Sequence, residues 1–424
     1  MAYIRAVPRR PASRSRNLDF FCAVVIVGLL AGVAGLATTV VLRFVEHLTY
    51  HYTFGTLLAG ITASSPVRRA LAPMVGGALA AVGWWILRRR AEVPPLEPTI
   101  ARHARIPRLS WSIDALLQVL LVGSGASLGR EGAPRQFAAV LGDLGTGWLK
   151  RLSSRDREIL LACAAGAGLG AVYAVPLAGS LFAARILLNS WHPRALGAAL
   201  LSSSLAVAIG SAVTHDQASL EWPVGESSYL LTLHALVLAP LTLVVGLAFK
   251  RIMAAARPAA LMGTWRLIPA LAGAGLVMGI CSHWWPELPG NGRSILTVSL
   301  ASNMTLSAAA VILVLKPLLT ALFLRAGGAG GMLTPSLATG AAAGSLLVLA
   351  INAAAGTHLE LPATSLAGAA GVLAVTQGSP IWAAIFVWEL AHPPIWLLLV
   401  FLTTAVSAHG LKLLVAGRSA THHG

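Results

Sequence analysis

The sequence predicts an all-α, polytopic membrane protein built from tilted and broken helices, and three observations carry that prediction. First, 56% of the 424 residues are hydrophobic and only 11% are charged, with a mean hydropathy of +0.76. A soluble domain of this length needs far more polar surface. Second, the apolar residues are gathered into segments at about 18–45, 70–88, 112–126, 133–149, 158–173, 176–190, 195–213, 229–250, 266–285, 294–303, 306–325, 332–353, 363–376, 380–391 and 394–416. Several fall short of the roughly 20 residues that a helix needs to cross the hydrocarbon core. Broken helices survive at membrane depth only where neighbouring protein or a watery cavity satisfies the freed backbone. Third, the basic residues sit at segment ends, which is how cytoplasmic loops are anchored.

The basic clusters are Arg5, Arg9, Arg10, Arg14 and Arg16, then Arg88, Arg89 and Arg90, then Arg102, Arg105 and Arg108, then Lys150, Arg151, Arg155 and Arg157, and finally Lys250, Arg251 and Arg257. They place the N-terminus and the linkers 88–108, 150–157 and 250–266 in the cytoplasm. Asp216, Glu221, Glu226 and Glu287 mark the loops 214–228 and 284–293 as external. The expected organisation is a basic cytoplasmic N-terminus (1–17), one transmembrane domain (18–416) with halves at about 18–213 and 229–416, and a short tail (417–424). Both termini are expected in the cytoplasm of a multi-pass inner-membrane protein, with no room for a cytoplasmic regulatory domain. The first apolar run exceeds a signal-peptide core and lacks a clear cleavage site, so it reads as a retained span.

The net charge of +16 belongs to these loops and gives no reason to expect nucleic acid as a partner. Cys22, Cys163 and Cys281 are too few and too scattered for a disulfide or metal framework. The histidines, among them His47, His51, His103, His392 and His409, have no ligand spacing, so no metal or cofactor is expected. Trp84, Trp85, Trp284 and Trp285 read as interfacial aromatics. The pairs Gly28/Gly32 and Gly166/Gly170 read as faces where helices approach closely in lipid.

The chemistry concentrates at two breaks. Gly129-Arg130-Glu131-Gly132-Ala133-Pro134 places a carboxylate between glycines at membrane depth, where an ionisable group is expensive and marks function. Gly327-Gly328-Ala329-Gly330-Gly331-Met332-Leu333-Thr334-Pro335 is a second break, about as far into the second half as Glu131 is into the first. A half-helix that starts after such a break presents free N–H groups and a positive dipole end, which favour an anion. Glu131 then acts as a tethered anion that plugs an anion pathway. The plainer readings are a structural Glu131 paired to Arg130 or Arg135, and a simple loop at Gly327–Gly331. Glu389 reads as a helix-packing or interfacial acid. Gly123-Ser124-Gly125 invites an intramembrane hydrolase, but no histidine lies in an adjacent apolar segment to activate the serine.

Four motifs in order make the chain resemble the CLC chloride channel and transporter family over nearly its whole length. They are Gly129-Arg130-Glu131-Gly132 followed by a proline; Leu160–Gly166 through Pro176-Leu177-Ala178-Gly179-Ser180-Leu181-Phe182; Lys316 through Gly331–Leu337 to Gly340-Ala341; and Phe386-Val387-Trp388-Glu389. The resemblance implies two inverted repeats per subunit, one anion pore per subunit and a homodimer, with an interface expected on 176–213 and 380–416. It implies Glu131 as the gate, with anion contacts from backbone amides around Gly331, Met332 and Leu333 and around Gly129, Arg130 and Gly132. Three departures follow. The family's central serine has no counterpart in Arg90-Ala91-Glu92-Val93-Pro94-Pro95. Its late tyrosine is missing, since the last tyrosine is Tyr229. Arg185 and Ile186 stand where proton-coupled members carry an internal glutamate. The expected function is passage of chloride and similar small anions through a glutamate-gated pore with weak or no proton coupling. A chloride/proton antiporter and a fluoride-selective relative are the alternatives.

Overall fold

The computed structural model describes residues 12–52, 55–102, 105–214, 220, 222–223, 230–256 and 263–421. Asp216, Glu221, Glu226, Tyr229, Arg257 and the first basic cluster up to Arg10 lie outside them. In chain order the helices are α1 (Ala12–Tyr50), α2 (Leu57–Ala63), α3 (Pro66–Arg90), α4 (Leu96–Ala101), α5 (Arg108–Gly123), α6 (Gly132–Thr146), α7 (Ser154–Tyr173) and α8 (Pro176–Leu181). They continue as α9 (Pro193–Thr214), α10 (Leu230–Ala256), α11 (Leu267–Cys281), α12 (Arg293–Leu300), α13 (Leu306–Arg325), α14 (Leu333–Ala355), α15 (Leu361–Gln377), α16 (Pro380–Ala391) and α17 (Leu397–Thr421). Among the described residues the only extended pairing is an isolated antiparallel bridge between Gly129 and Gly331.

Seven of these helices are long and apolar enough to cross a membrane: α1, α3, α9, α10, α13, α14 and α17. The others stop short for a length reason. At 1.5 Å per residue, the 16 residues of α5 reach about 24 Å, less than the roughly 30 Å of a hydrocarbon core. Their ends must therefore be held inside the bundle. At the expected break after Tyr173, Ala174 takes φ 57° and Pro176 opens α8, because proline suits a first helical position. Segment 176–190 is not one helix: α8 gives way to a π-helical turn at Phe182–Leu187.

Small residues set the packing distances. A methyl at Gly28 would stand 2.9 Å from Ser202 Cα, and one at Gly32 2.7 Å from Ile209 Cβ, so α1 meets α9 backbone to backbone as expected. Two cores flank the centre. Tyr173, Phe182, Trp382, Phe386 and Phe401 join α7, the π-helical turn after α8, α16 and α17. Trp84, Leu121, Leu271 and Phe323 join α3, α5, α11 and α13.

Several expectations are corrected. The short helices α2 and α4 interrupt segments read as loops, because Thr56 caps the first and Leu96 and Ile100 of the second are buried. Arg155 and Arg157 lie inside α7, and Lys250 and Arg251 inside α10, rather than in linkers. Trp84 is not interfacial: it is fully buried, and its Nε1 donates to Asp114 Oδ1 at 2.7 Å. Trp284, by contrast, is exposed.

Candidate anion site

The two glycine-rich breaks, 202 positions apart in sequence, meet at the centre of the molecule. Gly129 N–H donates to Gly331 O at 2.7 Å, and Gly331 N–H donates back to Gly129 O at 2.9 Å. A Cβ on either glycine would run into the carboxyl group of Glu131 as it is placed here. Their amides are used on each other. Gly129 and Gly331 therefore clamp the breaks together through their amides, and the Leu333 N–H at the start of α14 is the donor that Glu131 takes up.

Glu131 occupies the position just before α6, yet its side chain makes no capping bond to that helix. It reaches across to the start of α14, where its Oε1 accepts the Leu333 N–H at 2.7 Å and its Oε2 accepts the Thr334 hydroxyl at 3.2 Å. The Tyr173 hydroxyl lies 3.5 Å from Oε2. The 23-residue α14 has no side-chain cap of its own at Met332. Its first N–H groups and its dipole thus find their negative charge on another helix's carboxylate. Glu131 is 1% exposed, and neither arginine suggested as a structural partner pairs with it. Arg135 bonds Glu97 at 2.6 Å, while Arg130 donates to Val172 O at 3.1 Å and lies over the Tyr173 ring at 5.0 Å.

Tyr173 and Thr334 are the site residues that sequence reasoning missed. Thr334 was within reach, since a hydroxyl one position after an anion-binding amide is a second donor. Tyr173 gave no signal beyond its place at the end of α7. Phe386 braces it edge-on at 5.7 Å, so α16 helps aim the hydroxyl. At the end of α1, Tyr52 donates to Glu46 at 3.3 Å. Arg130, Arg293 and Arg43 lie near enough to Glu46 to act on its charge, and Arg130 also covers the Tyr173 ring, so a cationic cluster adjoins the Glu131 site.

The departures noted in the sequence have structural counterparts. Arg185 bonds Asn189 at 3.1 Å and covers the Trp191 ring at 4.6 Å, while Ile186 packs against the core. In the stretch 91–95, Ser110 Oγ donates to Glu92 O at 3.1 Å and Trp111 Nε1 to Pro94 O at 3.0 Å.

Two buried charges are structural. Glu389 accepts the N–H groups of Leu177 at 2.8 Å and Ala178 at 2.6 Å, capping α8 from α16. The fully buried Lys316 donates to Leu288 O at 2.9 Å and Gly290 O at 2.7 Å. Gly290 N–H in turn donates to Gly125 O at 3.0 Å, so Lys316 pins the 284–292 loop beside the first break. Ser124, the residue behind the hydrolase alternative, turns its hydroxyl onto Leu121 O at 2.9 Å.

Comparison with known proteins bears on the family and the fold. A voltage-gated ClC-type chloride channel, ClcB, of Escherichia coli O81 (strain ED1a) is 29% identical over 381 residues, 86% of this chain and 89% of its own. A slow cyanobacterial Cl−/H+ antiporter shares the fold with a TM-score of 0.78 at 20% identity, over 96% of this chain and 99% of that one. A CLC-type fluoride/proton antiporter follows with a TM-score of 0.69 at 18% identity, over 93% and 95% of the two chains. Residues 78–411, carrying both breaks, match the family model described as voltage gated chloride channel, and the chain belongs to that family of anion-transporting membrane proteins.

Proposed function

We propose that this protein passes chloride and similar small monovalent anions through a pore gated by Glu131, with weak or no coupling to protons. The observation that carries the reading is the 2.7 Å bond from Leu333 N–H to the Glu131 carboxylate at the mouth of α14. A carboxylate held there stands in for a free anion. When Glu131 is ionised, it fills the position and blocks it. When it takes a proton, it loses the attraction of the helix end, swings out, and leaves the amides of Met332 and Leu333 to the permeating ion.

Weak coupling is supported by Arg185 and Ile186. An arginine, with a pKa above about 12, does not release its proton in a relay, and isoleucine has none to give. Chloride/proton exchange is the second reading, favoured by the likeness to the two antiporters, and a halide other than chloride is compatible with a stretch 91–95 that lacks a serine. The protein is proposed to act as a homodimer through α8, α9, α16 and α17, in the inner membrane with both termini cytoplasmic. The deciding experiment is anion flux from purified protein in liposomes with proton movement recorded at the same time. Weak coupling predicts that a chloride gradient drives little proton uptake. Uphill proton movement at a fixed chloride-to-proton ratio overturns it and establishes exchange.

A further inference from the structure

A cleft of about 1120 Å³ opens beside α3, α5, α6 and α7, away from Glu131 and from the helices assigned to the dimer interface. Its walls are apolar, with Ile86, Ile113 and Leu161 among them. Its rim is cationic, formed by Arg90, Arg105, Arg108 and Arg157. We infer that this cleft binds one anionic phospholipid, with the phosphate among the arginines and the upper acyl chains along the apolar walls.

Three features point to that ligand. The first is the direction in which the cleft opens. Ile86 is 42% exposed, Ile113 36% and Leu109 74%, and in a membrane protein such residues face acyl chains, so an occupant enters from the bilayer. The second is uncompensated charge. Asp143 in the wall is answered by Arg108 at 2.7 Å, and Glu158 is held by Arg155, from outside the cleft, at 2.6 Å. Among the described residues the Arg157 guanidinium donates only to Leu149 O, at 3.1 Å. Arg90 and Arg105 have no hydrogen-bond or ion-pair partner among the described residues. The third is depth. These arginines belong to the segment ends that the charge pattern assigns to the cytoplasmic face, where basic pockets between helices take anionic headgroups. A small soluble anion would leave the apolar walls unused, and a neutral lipid would leave the arginines unanswered.

The test reads lipid binding and needs no transport, so its outcome is separate from that of the gating proposal. Protein is taken from nanodiscs of phosphatidylcholine with and without phosphatidylglycerol, and retained lipid is counted by native mass spectrometry. The expected result is one phosphatidylglycerol per subunit, retained in preference to phosphatidylcholine. The double variant R90Q/R105Q should retain it roughly thirtyfold less well, since each of the two cations near the membrane surface contributes on the order of 1 kcal/mol. Both side chains are exposed and unpartnered among the described residues, so the fold should not depend on them. Ile113→Trp narrows the apolar part of the cleft with the charges intact and should also reduce retention, so either variant decides if the other fails to fold. Equal retention of the two lipids, or retention unchanged in the folded variants, overturns the inference. Displacement of the lipid by inorganic phosphate overturns it too, since the site would then serve a free phosphate.

Discussion

Neutralising Glu131 tests the proposed gate most directly. The Leu333 N–H bond to its carboxylate is charge-assisted and contributes about 1.5–3 kcal/mol. The N-terminus of α14 adds roughly 0.3–2 kcal/mol for a negative charge. Thr334, at 3.2 Å, adds about 1 kcal/mol, while Tyr173, at 3.5 Å, adds little. Glu131→Gln keeps the shape and an acceptor for Leu333 but loses the charge, which amounts to about 2–4 kcal/mol of preference for the blocked state. That is a shift of roughly 30- to 1,000-fold between blocked and open populations. In liposomes, anion flux of the native protein should rise as pH falls, and flux of Glu131→Gln should be high and flat with pH. Glu131→Ala empties the position, so calorimetric titration should find one more bound chloride per subunit than in the native protein. A native pH profile in folded Glu131→Gln, or no added chloride in Glu131→Ala, would refute the tethered-anion reasoning.

Three further expectations concern charges away from the pore. Glu389→Gln keeps one of the two acceptors that cap α8 and should cost about 2 kcal/mol; thermal unfolding in detergent should begin earlier while the pH profile of flux stays native, and a lost pH profile would make Glu389 part of transport. Lys316→Met leaves the Leu288 and Gly290 carbonyls without their donor, at about 1–3 kcal/mol each, so hydrogen exchange should speed up across 284–292, and unchanged protection there would refute the pinning role. Asp156 sits in the capping box of α7, between Arg16 at 3.4 Å and Arg194 at 3.0 Å. Burial disfavours its charge, but the Ser153 hydroxyl and amide and the two guanidinium groups outweigh that and hold its pKa below the ordinary carboxylate value. Its contribution is therefore present above pH ~3.9 and is lost as pH falls through the lower folded value. Asp156→Asn should cost about 1–2 kcal/mol at neutral pH and flatten the acid limb of stability below about pH 4, and a native stability curve would show that the capping box is dispensable.

Much of the fold was legible in the sequence because hydrophobicity and glycine act locally. The apolar runs located the long helices, since residues such as those of α13 and α14 can lie nowhere but in a membrane or a core. Short runs flanked by Gly and Pro announced broken helices, and Ala174 and Pro176 duly end α7 and start α8. Glu131 stood out because an unpaired carboxylate in such surroundings needs a reason. That a donor would be free at the start of α14 followed from the glycines before it, because a helix start always has N–H groups to spare, and the Leu333 N–H bonds Glu131 there. The reading of Glu389 as a packing acid also agrees with the structure, though its partners on α8 could not have been named.

What the sequence by itself determined, then, is which residues must leave water, where the chain must break, and which charged group lies out of place at membrane depth. What only the tertiary structure decided is which break faces which. Gly129 and Gly331 pair, and Glu131 ignores its own helix to cap α14, because the fold brings two breaks from distant segments against each other. The same cause turned Trp84 inward onto Asp114 and brought Tyr173 and Thr334 to the carboxylate. It also set Lys316 against a loop whose residues carry no signal of the contact. Those choices depend on which partner satisfies each buried donor, and a one-dimensional pattern cannot specify a partner some 200 residues away.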